Sequence, residues 1–401
     1  MTDNEDNDGS PSVKLLLHCE GGMVPHMTRV LWDDFIKCHP NPPLILGVEL
    51  ADAFATPMYR DDSALQGVVS KKVKRKRATM ERCNESVSQI GKKKLIGYSF
   101  QGKDIRKHLG IPDLSRDGGK YKPPGVMIVP SYDLFPDTSQ SRPTLISTSK
   151  NISILTSNGH VKVFPDSYFS DVIAKSFTSD LRGENCHFVT LHDEFEESFN
   201  VNETLNADKK RKASITRTIN WNTLQANLNE FDHIKSWASV VGGSDLKART
   251  KCLRDIISGC NNVEGVTYVG LHRIAGNISL YKSILGNCQK ILPQNLKSCI
   301  LETKSVEEIF VAFELGVNVI GSSLPQLLAK EGKALIFSLS NNYSKEPGQS
   351  HSFIDLKSPI YARDKSPISE TCQCMTCRRH SVSFARKMTE CSLNVFLCFL
   401  C

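Results

Sequence analysis

The sequence lacks the long apolar stretches that membrane proteins need. No run in the 401 residues approaches the roughly 18 consecutive apolar side chains of a membrane-spanning helix. The N-terminus is acidic and polar from Thr2 to Ser10, unlike the basic and apolar start of a secretory signal. No G-x-G-x-x-G signature follows any predicted strand, which argues against a dinucleotide-binding protein. We therefore expect a cytoplasmic protein.

The composition is that of a globular protein with a mild basic excess. Hydrophobic residues make up 40% of the chain and charged residues 23%, so a sizeable core can form. The net charge of +7 fits a polyanionic partner without requiring one. The chain has 14 cysteines, which we expect to be reduced in the cytoplasm, so a cysteine cluster here indicates a metal site first.

Strands and helices alternate in the second half of the chain. Buried strands are predicted at Phe188–Leu191, Trp237–Val241, Val266–Val269, Cys299–Leu301 and Val317–Ile320. Apolar residues at helical spacing predict three intervening helices, carried by Leu246, Leu253, Ile256 and Ile257, by Ile278, Tyr281, Leu285 and Cys288, and by Val306, Ile309, Phe310 and Phe313. The third helix begins with a Ser305/Glu308 capping box and ends at Gly316. This alternation predicts parallel βαβ units, and the pattern does not choose between a closed barrel and an open doubly wound sheet.

Two polar features have both a functional and an ordinary interpretation. The basic runs Lys71–Arg77 and Lys209–Lys212 are consistent with RNA contact or a nuclear address, and equally with solvated loops. His192, Asp193 and Glu194 follow a predicted strand and could perform acid–base chemistry on some other substrate, or form a polar strand-end loop. The alternative function is therefore an independent barrel enzyme that uses these three residues.

Three cysteines lie within six residues near the C-terminus. Cys372, Cys374 and Cys377 supply soft thiolate ligands at a spacing that lets one loop surround an ion, which favours one zinc per chain. An iron–sulfur cluster and three incidental reduced cysteines are the alternatives. A zinc site of this kind is more typical of a structural role, because three thiolates and a fourth protein ligand leave no position for water.

The C-x-C-x-x-C motif behind a βα body resembles the zinc motif of the tRNA-guanine transglycosylases. Val240–Arg249 resembles the family segment V-Q-G-G-x-x-x-x-L-R, and Glu314–Val319 resembles E-x-G-V-D-x-F. Pro25–Thr28 resembles the P-H-x-T of the family's accessory members. The resemblance runs in register over about 150–380 and is looser in the N-terminal third. It implies a (β/α)8 TIM-type barrel with a C-terminal zinc-binding subdomain.

Family resemblance also implies a function. Active members exchange guanine at the wobble position of a tRNA anticodon for queuine or a precursor, using an aspartate nucleophile at a strand end. Accessory members pair as a heterodimer with a catalytic homologue, and a homodimer is the other arrangement to consider. The family further implies a peripheral association with the mitochondrial outer membrane.

Three catalytic elements of the active members are changed. Gly321 occupies the nucleophile's place in the F-D-C-V-x-P pattern, and the stretch Ser147–Asn151 stands near the place of D-S-G-G-F-Q. Val241 replaces the glutamine of Q-G-G. No base is evident beside Ser322 or Ser323 in the sequence, so neither serine is expected to replace the nucleophile. The sequence therefore predicts a non-catalytic accessory subunit without catalytic residues of its own.

The domain prediction follows from composition and resemblance. Residues 1–12 are expected to be a disordered acidic tail, 13–340 a barrel with a divergent N-terminal part, and 341–401 a linker and a truncated zinc-binding subdomain. Family spacing places the histidine zinc ligand about 26 residues after Cys377, just past the last residue, so three ligands and no fourth are predicted. His380, Cys398 and Cys401 are substitutes to consider.

Overall fold

The computed structural model describes fourteen segments of the chain and one isolated residue. These are residues 13–19, 44–49, 56–61, 93–99, 125–130, 145–147, 151–156, 159–174, 186–193, 204–227, 234–274, 276–336, 352–370, 372 and 375–390. The predicted acidic tail 1–12, the basic run Lys71–Arg77 and the segment Pro25–Thr28 lie outside them.

The described strands, in chain order, are β1 (Lys14–Cys19), β2 (Leu44–Glu49), β3 (Thr56–Asp61), β4 (Lys93–Ser99), β5 (Gly125–Val129), β6 (Leu145–Ser147), β7 (Ile152–Thr156), β8 (Gly159–Val163), β9 (Cys186–Val189), β10 (Ile234–Val240), β11 (Gly265–Tyr268), β12 (Lys297–Ile300), β13 (Val319–Gly321), β14 (Lys333–Ile336) and β15 (Ser352–Asp355). The α-helices are α1 (Thr204–Asn227), α2 (Leu246–Gly259), α3 (Ile278–Ile291), α4 (Val306–Glu314), α5 (Leu324–Glu331), α6 (Met375–Arg379) and α7 (Val382–Glu390). A π-helical turn spans Phe169–Ile173, and 3-10 turns span Leu271–Ile274 and Pro359–Tyr361.

Eight strands close into an all-parallel barrel in the order β1-β13-β12-β11-β10-β9-β5-β2. Closure is made by β1, which pairs in parallel with β13 on one side and with β2 on the other. Helices follow strands in the described second half of the barrel, as in a (β/α)8 TIM-type barrel. The predicted barrel is confirmed, and of the two arrangements that sequence periodicity left open the structure has the closed barrel.

The barrel interior is filled by apolar side chains from nearly every strand. This interior cluster consists of Leu16, Ile45, Met127, Val129, Val189, Trp237, Cys299, Leu301 and Val319. The intervening residues of the same strands face outward into a larger core shared with the helices, because successive strand residues point to opposite faces. The interior is therefore packed and is not a pore.

The predicted strands and helices of the second half are confirmed as β9 to β13 and α2 to α4. The expected burial of Phe310 and Phe313 is wrong: their side chains are 47% and 61% exposed. The inner face of α4 is instead carried by Val306 and the small Ala312, with Ile309 partly buried against the core. Gly316 has φ +76°, the left-handed conformation expected of a helix-ending glycine.

Beyond the barrel, β14 and β15 form an antiparallel pair that packs against α7. Ala334, Leu356, Ile368, Val382 and Ala385 form a separate small core there. Part of the segment whose composition suggested a linker is thus the strand β15. In the described part of the chain, no helix has the length and apolar character needed to cross a membrane.

Candidate functional site

The ends of β12 and β13 hold the position that the resemblance assigns to the nucleophile. Gly321 is the last residue of β13 and is buried, and its carbonyl oxygen accepts a hydrogen bond of 2.9 Å from the Thr303 hydroxyl. Ser322 Oγ donates to the carbonyl of Thr303 at 3.0 Å and accepts from the Leu324 amide at 3.2 Å. The Ser322 hydroxyl therefore serves the turn into α5, and Gly321 has no side chain that could attack.

Ser323 differs from the sequence-based expectation. Its hydroxyl donates to Glu302 Oε1 over 2.8 Å, so the prediction that no base lies near either serine is wrong for Ser323. The two residues are 21 positions apart, and they meet because β12 and β13 are adjacent parallel strands that end at the same edge. A carboxylate without a neighbouring histidine is a weak base for a serine hydroxyl. The pair is a polar contact at the C-terminal end of the barrel rather than an assembled nucleophile.

His192 and Asp193 lie at the end of β9 and contact different partners. The Asp193 carboxylate forms an ion pair with the Arg217 guanidinium of α1. The His192 ring is fully buried, with Nδ1 3.1 Å from Ser239 Oγ. Glu194, the third member of the predicted acid–base group, lies outside the described residues. Because the aspartate is paired with a guanidinium, the arrangement gives little support to acid–base catalysis by this group.

Helix α1 was not predicted from the sequence, and it supplies a buried polar face to this end of the barrel. The face consists of Ser214, Thr218, Asn222 and Gln225, all fully or nearly fully buried. Gln225 Oε1 accepts from the Leu191 amide at 2.7 Å, and Thr218 Oγ1 accepts from the Asp193 amide at 2.9 Å. Their spacing of three or four residues would have marked one helical face, but the apolar pattern that predicts a core-facing helix is weak here.

Asn222 and Ser214 complete the attachment of this polar face. The Asn222 amide nitrogen donates 3.0 Å to the Ser239 carbonyl, and its oxygen accepts 2.8 Å from the Ser239 amide. The Thr190 hydroxyl donates to the same Asn222 oxygen, and Ser214 donates to the Asp193 carbonyl. Helix α1 is thus attached to the ends of β9 and β10 by hydrogen bonds that satisfy backbone groups at the barrel rim.

The segment after β10 turns through two glycines into α2. Gly242 and Gly243 have φ +148° and +57°, and a Cβ on Gly242 would lie 2.7 Å from the backbone of Arg249. Asp245 caps α2 by accepting hydrogen bonds from the amides of Lys247 and Ala248. The two glycines allow the first turn of α2 to approach the end of the strand closely.

Arg249 returns from α2 to the barrel and is fully buried. Its Nη1 donates to the carbonyls of Val240 at 3.1 Å and Val269 at 3.0 Å. Nε and Nη2 donate to the Gly243 carbonyl at 3.2 and 2.9 Å. The guanidinium thereby ties together the ends of β10 and β11. Val241, which stands where the resemblance places a glutamine, is buried and apolar.

Comparison with known protein families gives a match over the second half of the chain. The family model described as Queuine tRNA-ribosyltransferase matches residues 198–398. The chain belongs to the queuine tRNA-ribosyltransferase family.

Individual relatives of this family match over shorter stretches. An Aedes aegypti protein named Queuine tRNA-ribosyltransferase accessory subunit 2 is 26% identical over 207 residues, 47% of either chain. A protein of the same name from Culex quinquefasciatus is 23% identical over 155 residues, 37% of this chain and 36% of its own. A Helicobacter pylori (strain HPAG1) Queuine tRNA-ribosyltransferase is 24% identical over 186 residues, 44% of either chain. The chain therefore spans less than half the length of these curated relatives.

The cysteine motif of this family member is partly described. Cys372 and Cys377 are partly buried, and Cys377 packs against the small core of β14, β15 and α7. Cys374, Cys398 and Cys401 lie outside the described residues. Within the described segments, no three histidine, cysteine or acidic side chains come together as a metal cluster. Two accessible thiols on either side of the start of α6 fit a soft metal ion such as zinc. His380, a substitute ligand to consider, stacks on Phe384 with ring centroids 4.4 Å apart.

The second basic run and the segment that begins at Ser147 are partly or wholly described. Lys209 to Lys212 lie in the first half of α1 and not in a loop, and all are exposed except the partly buried Arg211. Arg211 forms ion pairs of 3.1 Å with Asp208 and with Asp245 at the start of α2. Ser147 ends β6, while the residues 148–150 that follow it are outside the described part.

Proposed function

We propose that this chain is a non-catalytic accessory subunit. It pairs with a catalytic queuine tRNA-ribosyltransferase subunit while that partner exchanges guanine for queuine at the wobble position of a tRNA anticodon. Family membership and the match to two insect accessory subunits support the proposal. A homodimer is the alternative assembly.

The observation that carries the proposal is Gly321. Barrel enzymes place their reacting groups at the C-terminal ends of the strands, and Gly321 ends β13 there without a side chain. The neighbouring hydroxyls are all hydrogen-bonded. Thr303 donates to the Gly321 carbonyl, Ser322 to the Thr303 carbonyl, and Ser323 to Glu302. A covalent intermediate at this position would need a nucleophile that the strand end does not supply.

Contact with tRNA is supported by the basic first half of α1. Because α1 follows β9, its N-terminal half lies toward the C-terminal end of the barrel, where Arg211 bonds to Asp245. Lys209, Lys210 and Lys212 are exposed there. Lysines that neutralise phosphates release counterions, so such contact would weaken steeply with salt.

The catalytic part of the proposal is tested by incubating the purified chain with tRNA and labelled guanine. Alone it should exchange no guanine and form no denaturation-resistant adduct, whereas exchange should appear when a catalytic homologue is added. Ser323→Ala should leave this joint exchange unchanged, because the hydroxyl contacts Glu302 and not a reacting atom. An adduct formed by the isolated chain, and lost in Ser323→Ala, would refute the non-catalytic assignment.

The assembly part is tested by size-exclusion chromatography with the catalytic homologue at micromolar concentration. A single peak of summed mass is expected, and its retention on tRNA should weaken in Lys209→Gln/Lys210→Gln. The matched control is Lys282→Gln/Lys290→Gln, which removes the same charge from α3. Two separate monomer peaks would contradict pairing, and equal loss in both double variants would contradict a role for α1.

We also propose one zinc ion per chain, held by Cys372, Cys374 and Cys377 with a ligand still to be identified. The partly buried position of Cys377 beside the small core supports a structural role, in which zinc binding contributes to folding of this region. Cys372→Ser should lower the zinc content and increase proteolysis after about residue 333. As a control, the Cys260→Ser variant, which changes a cysteine of the barrel, should retain the zinc content of the native chain. Absence of zinc from the folded, reduced protein would refute the assignment.

The cellular location is proposed to be the cytoplasm, with the peripheral mitochondrial association that the family implies. Cys252, Cys260, Cys288 and Cys299 are buried free thiols of the barrel, which supports a reducing compartment. The independent enzyme based on His192, Asp193 and Glu194 gains no such support, because Asp193 is paired with Arg217.

A further inference from the structure

The N-terminal end of the barrel carries a cluster of lysines on its inner face. Leu16, Trp237 and Cys299 belong to the interior cluster. The residues two positions earlier on the same strands, Lys14, Lys235 and Lys297, therefore also point inward, because strand side chains alternate. They lie at the start of β1, β10 and β12, at the end of the barrel opposite Gly321.

The positive charge of this cluster is only partly balanced. Glu264 forms an ion pair with Lys297 and lies 3.5 Å from Lys235. Lys14 forms no ion pair or hydrogen bond through its ammonium within the described segments. Its pKa is lowered, first by burial and then by the charges of Lys297 and Lys235, which agrees with the inward direction of all three side chains. Among the described residues at this partly desolvated mouth, three positive charges thus stand against one negative charge.

A buried hydrogen-bond donor lies in the same neighbourhood. His187 is 3% exposed and is the register partner of Lys235 on the adjacent strand, so both side chains are on the inner face. Trp237 Nε1 donates to His187 Nδ1 over 3.0 Å, which places the imidazole proton on Nε2. Nε2 is buried and has no hydrogen-bond partner in the described part of the chain. Burial lowers the pKa of His187 to about 3, so the ring is a neutral donor at pH 7.

Lys14 and His187 both lack a partner that an anion could supply. In the described part of the chain, the Lys14 ammonium has no ion-pair partner and His187 Nε2 has no hydrogen-bond acceptor. A water molecule could accept from Nε2 of His187, but it would not balance the ammonium charge of Lys14. An acceptor with negative charge satisfies both, and a lysine cluster suits a tetrahedral oxyanion that offers several oxygens. The packed interior cluster separates this end from the Gly321 end, so the two do not form one cavity.

We propose that the N-terminal mouth of the barrel binds a small phosphate-type oxyanion. Lys14, Lys235 and Lys297 supply the charge, and His187 Nε2 donates the innermost hydrogen bond. The ligand is inorganic phosphate or the terminal phosphate of a small phosphomonoester. Glu264 limits the affinity, because it competes with the anion for Lys297 and Lys235. The site is independent of the proposed accessory function.

The test is calorimetric titration and thermal unfolding of the full chain with inorganic phosphate, with sodium chloride lowered to hold ionic strength constant. Saturable binding and a saturable rise in Tm are expected. Lys14→Gln and Lys235→Gln should each weaken binding at least about tenfold, while Lys251→Gln, an exposed lysine of α2, should change it less than about twofold. Glu264→Gln should tighten binding several-fold.

Structural effects are separated by the anion-free protein. Lys14→Gln should unfold at the same or a higher temperature than the native chain without phosphate, because it removes an unpaired, half-buried charge. Tighter binding of phenyl phosphate than of inorganic phosphate would assign the ligand as a phosphomonoester, and the reverse would assign free phosphate. Failure of phosphate to saturate, or equal responses in Lys14→Gln, Lys235→Gln and Lys251→Gln, would overturn the proposal.

Discussion

Replacing Arg249 by methionine should destabilise the barrel by about 3 kcal/mol. The guanidinium is fully buried and donates to three backbone carbonyls. Two of these, from Gly243 and Val269, have no other donor in the described segments, whereas the Val240 carbonyl also accepts the Val269 amide at 3.1 Å. A buried carbonyl left without a donor costs about 1–3 kcal/mol, so two cost about 2–6 kcal/mol, and the sum falls in the lower half of that range because the Gly243 carbonyl is only partly buried.

The assay is urea unfolding followed by tryptophan fluorescence, because Trp237 lies on β10, whose end Arg249 holds. Lys247→Met on the same helix is the control and should change the unfolding free energy by less than about 0.5 kcal/mol, since Lys247 is exposed. Arg249→Lys should fall between the two, because one ammonium cannot reach all three carbonyls. An Arg249→Met protein within about 0.5 kcal/mol of the native chain would refute the reasoning.

Two further predictions concern the barrel. Gly242→Ala should cost more than about 2 kcal/mol in urea unfolding, because its Cβ would lie 2.7 Å from the Arg249 backbone at φ +148°, while Gly276→Ala, with open space around it, should be nearly neutral. The pKa of His187 is about 3 in the folded chain against an ordinary 6.5, so the unfolded state takes up the proton first and stability falls as pH drops from about 6.5 toward 3. Between pH 7 and 5.5, without phosphate, His187→Gln should therefore lose about 1 kcal/mol less than the native chain, and equal losses would contradict a buried neutral ring.

The second half of the barrel could be predicted from the sequence because each element carries its own pattern. The strands β9 to β13 are short apolar runs, and α2 and α3 place their apolar residues on one helical face. Helix α1 has a weaker pattern, because polar side chains such as Thr218 and Asn222 are buried by hydrogen bonding beside its buried apolar residues. Pattern alone therefore located α2 to α4 and missed α1, whose buried face mixes polar and apolar side chains.

The sequence predicted that the candidate site lacks a nucleophile, but it did not predict the polar contacts found there. The loss of the nucleophile at Gly321 is visible in the sequence once the resemblance aligns it. The contact of Ser323 with Glu302 required the adjacency of β12 and β13, which the strand pairing of the folded chain establishes. The phenylalanines of α4 show the opposite error, because helical spacing suggested burial for Phe310 and Phe313 while Ala312 occupies the inner face.

The polar attachment of α1 has a mechanical consequence. Apolar helix packing tolerates small rotations and shifts along the axis, because dispersion contacts vary little with angle. Directional hydrogen bonds from Thr218, Asn222 and Gln225 to the rim of the barrel weaken steeply when they bend. A rotation of α1 by one residue, about 100°, would break all of them at once. These hydrogen bonds therefore fix the orientation of Lys209 and Lys210 around the helix axis relative to the barrel rim.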